Sequence, residues 1–228
     1  MLTLNPLPWV ASSSAPLLGP RNLQIWIIPC GADNGDPEAL WPLLSGEEQA
    51  RADRRLAPGH RAAYIRAHAG LRLILAAPLA TPPARIEFQQ GPQGKPAVAG
   101  PLKFNLSTSG DLALVALRWD QAVGIDCERP TANRNLLGIA RRLFSPAEVE
   151  LLLAATEAER PALFTRFWTA LEASVKLDGR GLFQPAAPGG PQPEIIHFAP
   201  QPGYVAALAS REPPPLASWT VRRLLFQG

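Results

Sequence analysis

The sequence is poor in sulfur: its 228 residues hold two cysteines, Cys30 and Cys127, and one methionine. With no CxxC spacing, neither a disulfide framework nor a zinc site is expected, and a reducing, cytoplasmic setting fits best. Histidine is scarce too, and His60, His68 and His197 show no metal-ligand spacing, so satisfied or exposed side chains are expected there. No apolar run reaches the roughly 18 residues of a membrane span. The apolar N-terminal stretch lacks a basic region and is broken by Pro6, Pro8 and Pro16, so no signal peptide is expected. GxSxG, GxxxxGK[ST] and GxGxxG are all missing, which argues against an α/β-hydrolase, a P-loop NTPase and a dinucleotide-binding enzyme.

Proline, by contrast, is abundant. The 26 prolines gather in "PLATPP", "QPAAPGGPQP" and "REPPPLAS", where they stiffen connections between elements. Hydrophobic residues at 46% against charged residues at 18% place the chain among soluble globular proteins. A net charge of +3 is a mild basic excess that suits an anionic partner without naming one.

"LQIWIIP" reads as a buried strand, and helical patterns follow from Gly46 to Leu56 and from Gly59 to Ala76. The second of these places Tyr64, Ala67, Leu71 and Ile74 on one face, with Arg61, His68 and Arg72 on an adjoining stripe. "ARIEFQQ", "KFNLSTSG" and "DLALVALRW", punctuated by glycines 91, 94 and 110, predict a meander, and "QAVGIDCE" predicts a further strand. Helices are predicted from about Arg134 to Leu143, from Ser145 to Ala155 behind a Ser-Pro cap, and from Glu159 to Asp178. Strands "EIIHF", "YVAALAS" and "SWTVRRLL" complete the chain. The order strand, helices, meander thus occurs twice. This predicts a duplicated α+β architecture with a cleft between its halves near Trp119.

Asp126 and Glu128 lie two apart on a predicted strand, so both leave one face while Ile125 and Cys127 enter the core. Neighbouring carboxylates repel unless a cation lies between them, and oxygen-only donors suit magnesium. A solvent-facing pair beside Arg129 explains an isolated DxE equally well. On the last long helix Phe164, Trp168, Leu171 and Val175 form a predicted core stripe, with Glu172 and Lys176 beside it at i,i+4. Phosphate donors are available in Arg51, Arg54, Arg61, Lys95 and "NLSTSG".

In order and spacing these segments resemble the 4′-phosphopantetheinyl transferase superfamily, in particular its larger, internally duplicated members that activate peptide and polyketide synthetases. "GPQGKPAV" is similar to the family's GKP turn, "FNLSTSG" to its FN(L/I)SHSG segment, "VGIDCERP" to its (V/I)GxDxE strand, "FSPAE" to its F(S/T)xxE segment, and "FWTALEASVKLDGRGL" to its WxxKExxxKxxGxGL helix. The resemblance implies two α+β halves related by a pseudo-twofold, each an antiparallel sheet on a long helix, with the active site between them. Residues 1–118 would contact coenzyme A, and 119–228 would carry the magnesium site and catalytic helix. It implies transfer of 4′-phosphopantetheine from coenzyme A to a serine of an apo carrier protein by a cytoplasmic monomer, with no nucleic-acid or membrane partner.

By the same resemblance Asp126, Glu128 and Glu172 would hold Mg2+, Glu172 would also take the serine proton, and Lys176 would neutralise or protonate the leaving phosphate. Lys95 and Pro96 would touch the nucleotide together with Ser107 and Thr108, while Arg54 and Arg61 would hold the 3′-phosphate of coenzyme A. Thr108 stands where the family commonly has histidine, and Leu171 where it commonly has lysine. The loss of both cations keeps a weakened coenzyme A or carrier-binding module open as a second reading. A nucleic-acid binder is a third, disfavoured by the few aromatics among residues 51–72.

Overall fold

The structure, a computed structural model, describes residues 4–16, 18–19, 22–91, 94–131, 135–184 and 191–226. The first half contributes β1 (Asn5–Pro6), β2 (Val10–Ser12), β3 (Gln24–Pro29), α1 (Gly46–Asp53), α2 (Pro58–Leu79), β4 (Gln89–Gln90), β5 (Pro96–Ala97), β6 (Leu102–Ser109) and β7 (Leu112–Trp119). The second contributes β8 (Val123–Glu128), α3 (Leu136–Leu143), α4 (Pro146–Ala154), α5 (Arg160–Asp178), β9 (Glu194–Ala199), β10 (Val205–Ser210) and β11 (Thr220–Leu224).

Local chemistry explains where the helices start. Ser45 and Ser145 each accept a hydrogen bond from the backbone N–H three residues on, and Glu48 and Glu148 each reach back to the cap N–H at 2.8 Å. Two orphan donors are satisfied reciprocally at each site, and the same device opens a helix in each half. α5 stops at Gly179, whose φ of 64° closes the last turn.

One sheet runs β2-β11-β3-β7-β6 and the other β1-β9-β10-β8. The cores of the two share a connectivity. In each, a first strand (β3 or β8) pairs antiparallel with the second strand of a later hairpin (β7 or β10), whose first strand (β6 or β9) lies beyond it. The terminal strands cross over: β1 pairs with β9, and β11 inserts between β2 and β3.

Strand alternation then stacks the layers. Ile25 and Ile27 of β3 meet Ile125, Cys127, Ala206 and Leu208 between the two sheets. Trp26 and Ile28 turn the other way, onto Ala67, Leu71 and Ile74 of α2. On the far side Ala207 and Ala209 of β10 meet Ala173 and Leu177 of α5. The order is helix, sheet, sheet, helix, so β3 and β10 are buried on both faces and read as continuous apolar runs.

Two local expectations are corrected. "ARIEFQQ" is not a single strand: Pro82 and Pro83 favour a 3-10 turn at Pro83–Arg85, and only Gln89–Gln90 is extended. The expected α5 stripe is core only in part: Phe164 and Val175 are buried and Phe164 and Trp168 pack against α3 and α4, but Leu171 is half-buried, and Thr165, Thr169, Ala173 and Leu177 are buried on a second face, where Ala173 and Leu177 meet the sheet. The two threonine hydroxyls donate to the carbonyls of Pro161 and Arg166, which lets polar residues occupy a core position. Close approach is the reason small residues win here. A Cβ added to Gly124 would lie 1.9 Å from the Ala173 carbonyl oxygen, so α5 rests directly on the β8 backbone. The helix expected from about Arg134 begins at Leu136, and Arg134 and residues 185–190 of the proline-rich connection lie outside the described residues.

Candidate active site at the seam between the halves

β6 and β8 are edge strands of different sheets, and side chains join them where a backbone ladder would have merged the sheets. Every second residue of β6 from Asn105 onward takes part. Asn105 Oδ1 accepts the Ile125 N–H at 2.8 Å, and Ser107 Oγ accepts the Cys127 N–H at 3.3 Å. The Ser107 hydroxyl donates to Asp126 Oδ1 at 2.8 Å, and the Ser109 hydroxyl donates to Glu128 Oε2 at 2.8 Å. Tyr204, from the β9–β10 turn, donates to the Ser109 carbonyl at 3.1 Å and accepts the Asp111 N–H at 3.3 Å. Gly110, at φ 56°, completes the β6–β7 hairpin turn under the Tyr204 hydroxyl, which a Cβ there would approach to 3.1 Å.

Asp126 is buried, and among the described residues it is ion-paired with Lys176, whose ammonium donates to Oδ1 at 2.6 Å and to Ser107 Oγ at 3.3 Å. The lysine predicted to pair with Glu172 on its own helix therefore crosses to β8. Glu172 stays half-buried near this group: burial raises its carboxyl above the usual range, the Lys176 charge opposes the shift, and Asp126 and Glu128 add to it. A carboxyl held this way is poised for proton transfer nearer neutral pH than a free one.

Among the described residues no three His, Cys, Asp or Glu side chains are gathered to hold a metal ion, because Asp126 is engaged by Lys176 and Glu128 by Ser109. The donor chemistry nonetheless fits a hard cation. Asp126 Oδ2 is buried without a hydrogen-bond partner, and an unsatisfied carboxylate oxygen within the field of further acidic side chains, Glu172 among them, calls for positive charge.

On the first half, two adjoining cavities of about 890 and 580 Å³ share His68 and Leu106. Arg51, Arg72, Arg85 and Pro96 line the larger together with Glu47, Glu48 and Glu87, and Arg54, Arg55, His60 and Thr108 line the smaller, which has no acidic side chain among the described residues. Thr108 is exposed there because it points away from Ser107 and Ser109, so position 108 faces the cavity while its neighbours face the seam. Three expected nucleotide contacts point elsewhere. Arg61 is paired with Glu38 and Asp53 and lies over the Trp41 ring. Ser107 is committed to Asp126, and the Lys95 ammonium donates to the carbonyls of Val123 and Lys176 at 3.2 and 2.5 Å.

Comparison with known proteins bears on this arrangement. Residues 122–221, which span the seam strand, α5 and the sheet beneath, match the 4′-phosphopantetheinyl transferase superfamily. A 4′-phosphopantetheinyl transferase, HetI, from Nostoc sp. is 32% identical over 207 residues, covering 82% of this chain and 86% of the relative. The chain belongs to the 4′-phosphopantetheinyl transferase superfamily. Within that superfamily it is also similar to the 4′-phosphopantetheinyl transferase psf-1 of Bacillus pumilus, at 35% identity over 64% of this chain and 62% of the relative. To the 4′-phosphopantetheinyl transferase AcpT of Escherichia coli it is 41% identical, over 43% of this chain and 51% of the relative.

Further residues shape the seam and the cavity wall in roles their sequence context does not announce. Asn105, Ser109 and Tyr204 bind the seam, and for the first two the period-two polar alternation in "NLSTS" was the available signal. Glu48 and Arg72, which close the floor of the larger cavity, were visible only as members of helical charge patterns.

Proposed function

We propose that this chain transfers the 4′-phosphopantetheine group of coenzyme A to a serine of an apo carrier protein, releasing 3′,5′-ADP. The observation that carries the reading is the cross-half cluster itself. A buried carboxylate with a spare oxygen, a lysine upon it and a carboxyl of raised pKa lie near a basic cavity of about 580 Å³, lined by Arg54, Arg55 and His60 and reaching Ser109, the partner of Glu128. Family membership supplies the reaction to which such a cluster is suited.

In the proposed reaction a serine oxygen of the carrier forms a bond to the β-phosphorus of coenzyme A, and the pyrophosphate P–O bond breaks. Glu172 takes the serine proton. The Lys176 ammonium neutralises the charge that gathers on the departing phosphate. Asp126, Glu128 and Glu172 would hold a divalent ion, and the chemistry such an ion supplies is Lewis-acid stabilisation of the pyrophosphate. Arg54 and Pro96 would line the nucleotide's place, with Thr108 at its edge. The two halves share the work: residues 1–118 offer the groove, residues 119–228 the carboxylates and lysine. Because one chain supplies both, a monomer completes the site. No described helix is long and apolar enough to cross a membrane.

Mass spectrometry of an apo carrier incubated with the chain, coenzyme A and magnesium tests the proposal. Addition of the phosphopantetheine arm is expected. Tight coenzyme A binding with no addition to any of a panel of carriers would leave a binding module in its place, the reading favoured by the uncharged Thr108 and Leu171.

A further inference from the structure

Lys95 belongs to the first half, yet its ammonium spends its hydrogen bonds on the second. It donates to the carbonyl of Val123, the first residue of β8, and to the carbonyl of Lys176, in the last turn of α5. Carbonyls in a helix's last turn lack intrahelical partners and gather partial negative charge. The Val175 carbonyl is capped by the N–H groups of Gly179 and Arg180, whereas the Lys176 carbonyl receives the ammonium from across the seam.

These two acceptors sit at informative places. Val123 lies three residues before Asp126 on one strand, and Lys176 is the residue whose side chain meets Asp126 at 2.6 Å. The main chain of Lys176 is thus held by one lysine while its side chain holds the carboxylate. Between the two carbonyls, α5 rests on β8 at Gly124, where no side chain intervenes. A helix in backbone contact with a strand can slide or tilt at its end unless something fixes the pair, and the Lys95 ammonium grips both members at once. Burial of that ammonium pushes its pKa down to about 8, with the Asp178 carboxylate opposing the shift, so it remains mostly protonated at neutral pH.

We propose that Lys95 is a positioning residue, a latch from the first half that sets the end of α5 against β8 and so places the Lys176 ammonium on Asp126. The role rests on the transfer reaction proposed above, and it differs from a nucleotide contact because both acceptors are the protein's own carbonyls.

The test uses the full chain with Lys95→Met, which keeps the length and removes the donor. Three quantities are read: the dissociation constant for coenzyme A, kcat for carrier loading, and amide hydrogen exchange over residues 175–180. The latch predicts coenzyme A affinity within about twofold of the parent, kcat lowered at least tenfold, and faster exchange confined to the end of α5. Affinity weakened tenfold or more with unaltered exchange would make Lys95 a ligand contact and overturn the latch, as would three unchanged values. Should Lys95→Met fail to fold, Lys95→Gln, whose amide can still donate to one carbonyl, is read the same way, with an intermediate kcat loss expected. If the parent chain itself transfers nothing, the proposed function falls, while the exchange measurement still decides whether Lys95 holds α5.

Discussion

Two ion pairs on buried carboxylates resemble each other in distance and differ in completeness. In the first half Arg72 meets Glu48 at 2.7 Å, and every oxygen is used: Oε2 also accepts the Ser45 N–H, and Oε1 faces His68 at 3.3 Å. The guanidinium in turn donates to the carbonyls of Pro83 and Ile86. In the second half Lys176 meets Asp126 at 2.6 Å, but Asp126 Oδ2 has no partner. A closed network holds a helix against its loop. An open one leaves uncompensated negative potential at the seam, and burying a polar atom unsatisfied costs about 1–3 kcal/mol that a structural pair would avoid.

The largest effect expected from this contrast is on catalysis. Asp126→Asn should lower kcat/KM for carrier loading by about three orders of magnitude, some 4 kcal/mol of barrier, while the melting temperature moves by only a few degrees. Lys176 is partly exposed and can turn to water when the charge is lost. Unaltered loading by the variant would sink the assignment of this pair to the chemistry.

Glu48→Gln should do the reverse. Removing one partner of a buried pair costs about 3 kcal/mol, so denaturant unfolding near pH 7 should show a loss of that size, with kcat of the folded fraction within a few-fold of the parent. The same carboxyl sets an acid limit. Burial works to raise its pKa, but hydrogen bonds from His68 and the Ser45 N–H and the charge of Arg72 prevail, holding it at about 2 against an ordinary 4.5. Between those values the unfolded chain binds the extra proton. The stabilisation is therefore complete above pH 4.5 and disappears as pH falls toward 2. Unfolding measured across that window should be steep for the parent and flatter for the variant.

The smallest effect concerns the cavity wall. Thr108→His adds a titratable cation beside Arg54 and His60, and coenzyme A should bind about two- to fivefold more tightly at pH 6, an exposed-charge effect of about 0.5–1 kcal/mol. Calorimetry that finds equal or weaker binding would remove the charge argument from position 108.

The elements themselves were legible because their signals are local. The Ser-Pro cap at Ser145, glycine at 110, and continuous apolar runs in β3 and β10 each act over a few residues, whereas the caps at Ser45 and Gly179 are findings of the structure. Asp126, Glu128, Glu172 and Lys176 were legible as types in a known order, and the family resemblance implied that they share a site; across the seam Lys176 reaches Asp126. The partners were not. Whether Lys176 turns to Glu172 on its own helix or to Asp126 across the seam depends on how closely α5 lies on Gly124, a distance that helical spacing does not contain. Arg61 faces Glu38 and Asp53 for a similar reason: the competing carboxylates come from a 3-10 segment and a helix end whose positions only the folded chain defines. Thr165 and Thr169 were hidden because hydropathy counts their hydroxyls as polar, although the helix backbone satisfies them.

The crossed ends of the chain bear on how such a molecule can work. With β1 laid beside β9 and β11 wedged next to β3, the polypeptide is knitted like clasped hands: to swing the lobes apart, backbone ladders would have to tear at both ends. Substrate entry must then rely on loops and side chains at the groove's mouth, and a cut between residues 119 and 120 would yield two fragments that each lack a piece of their own sheet.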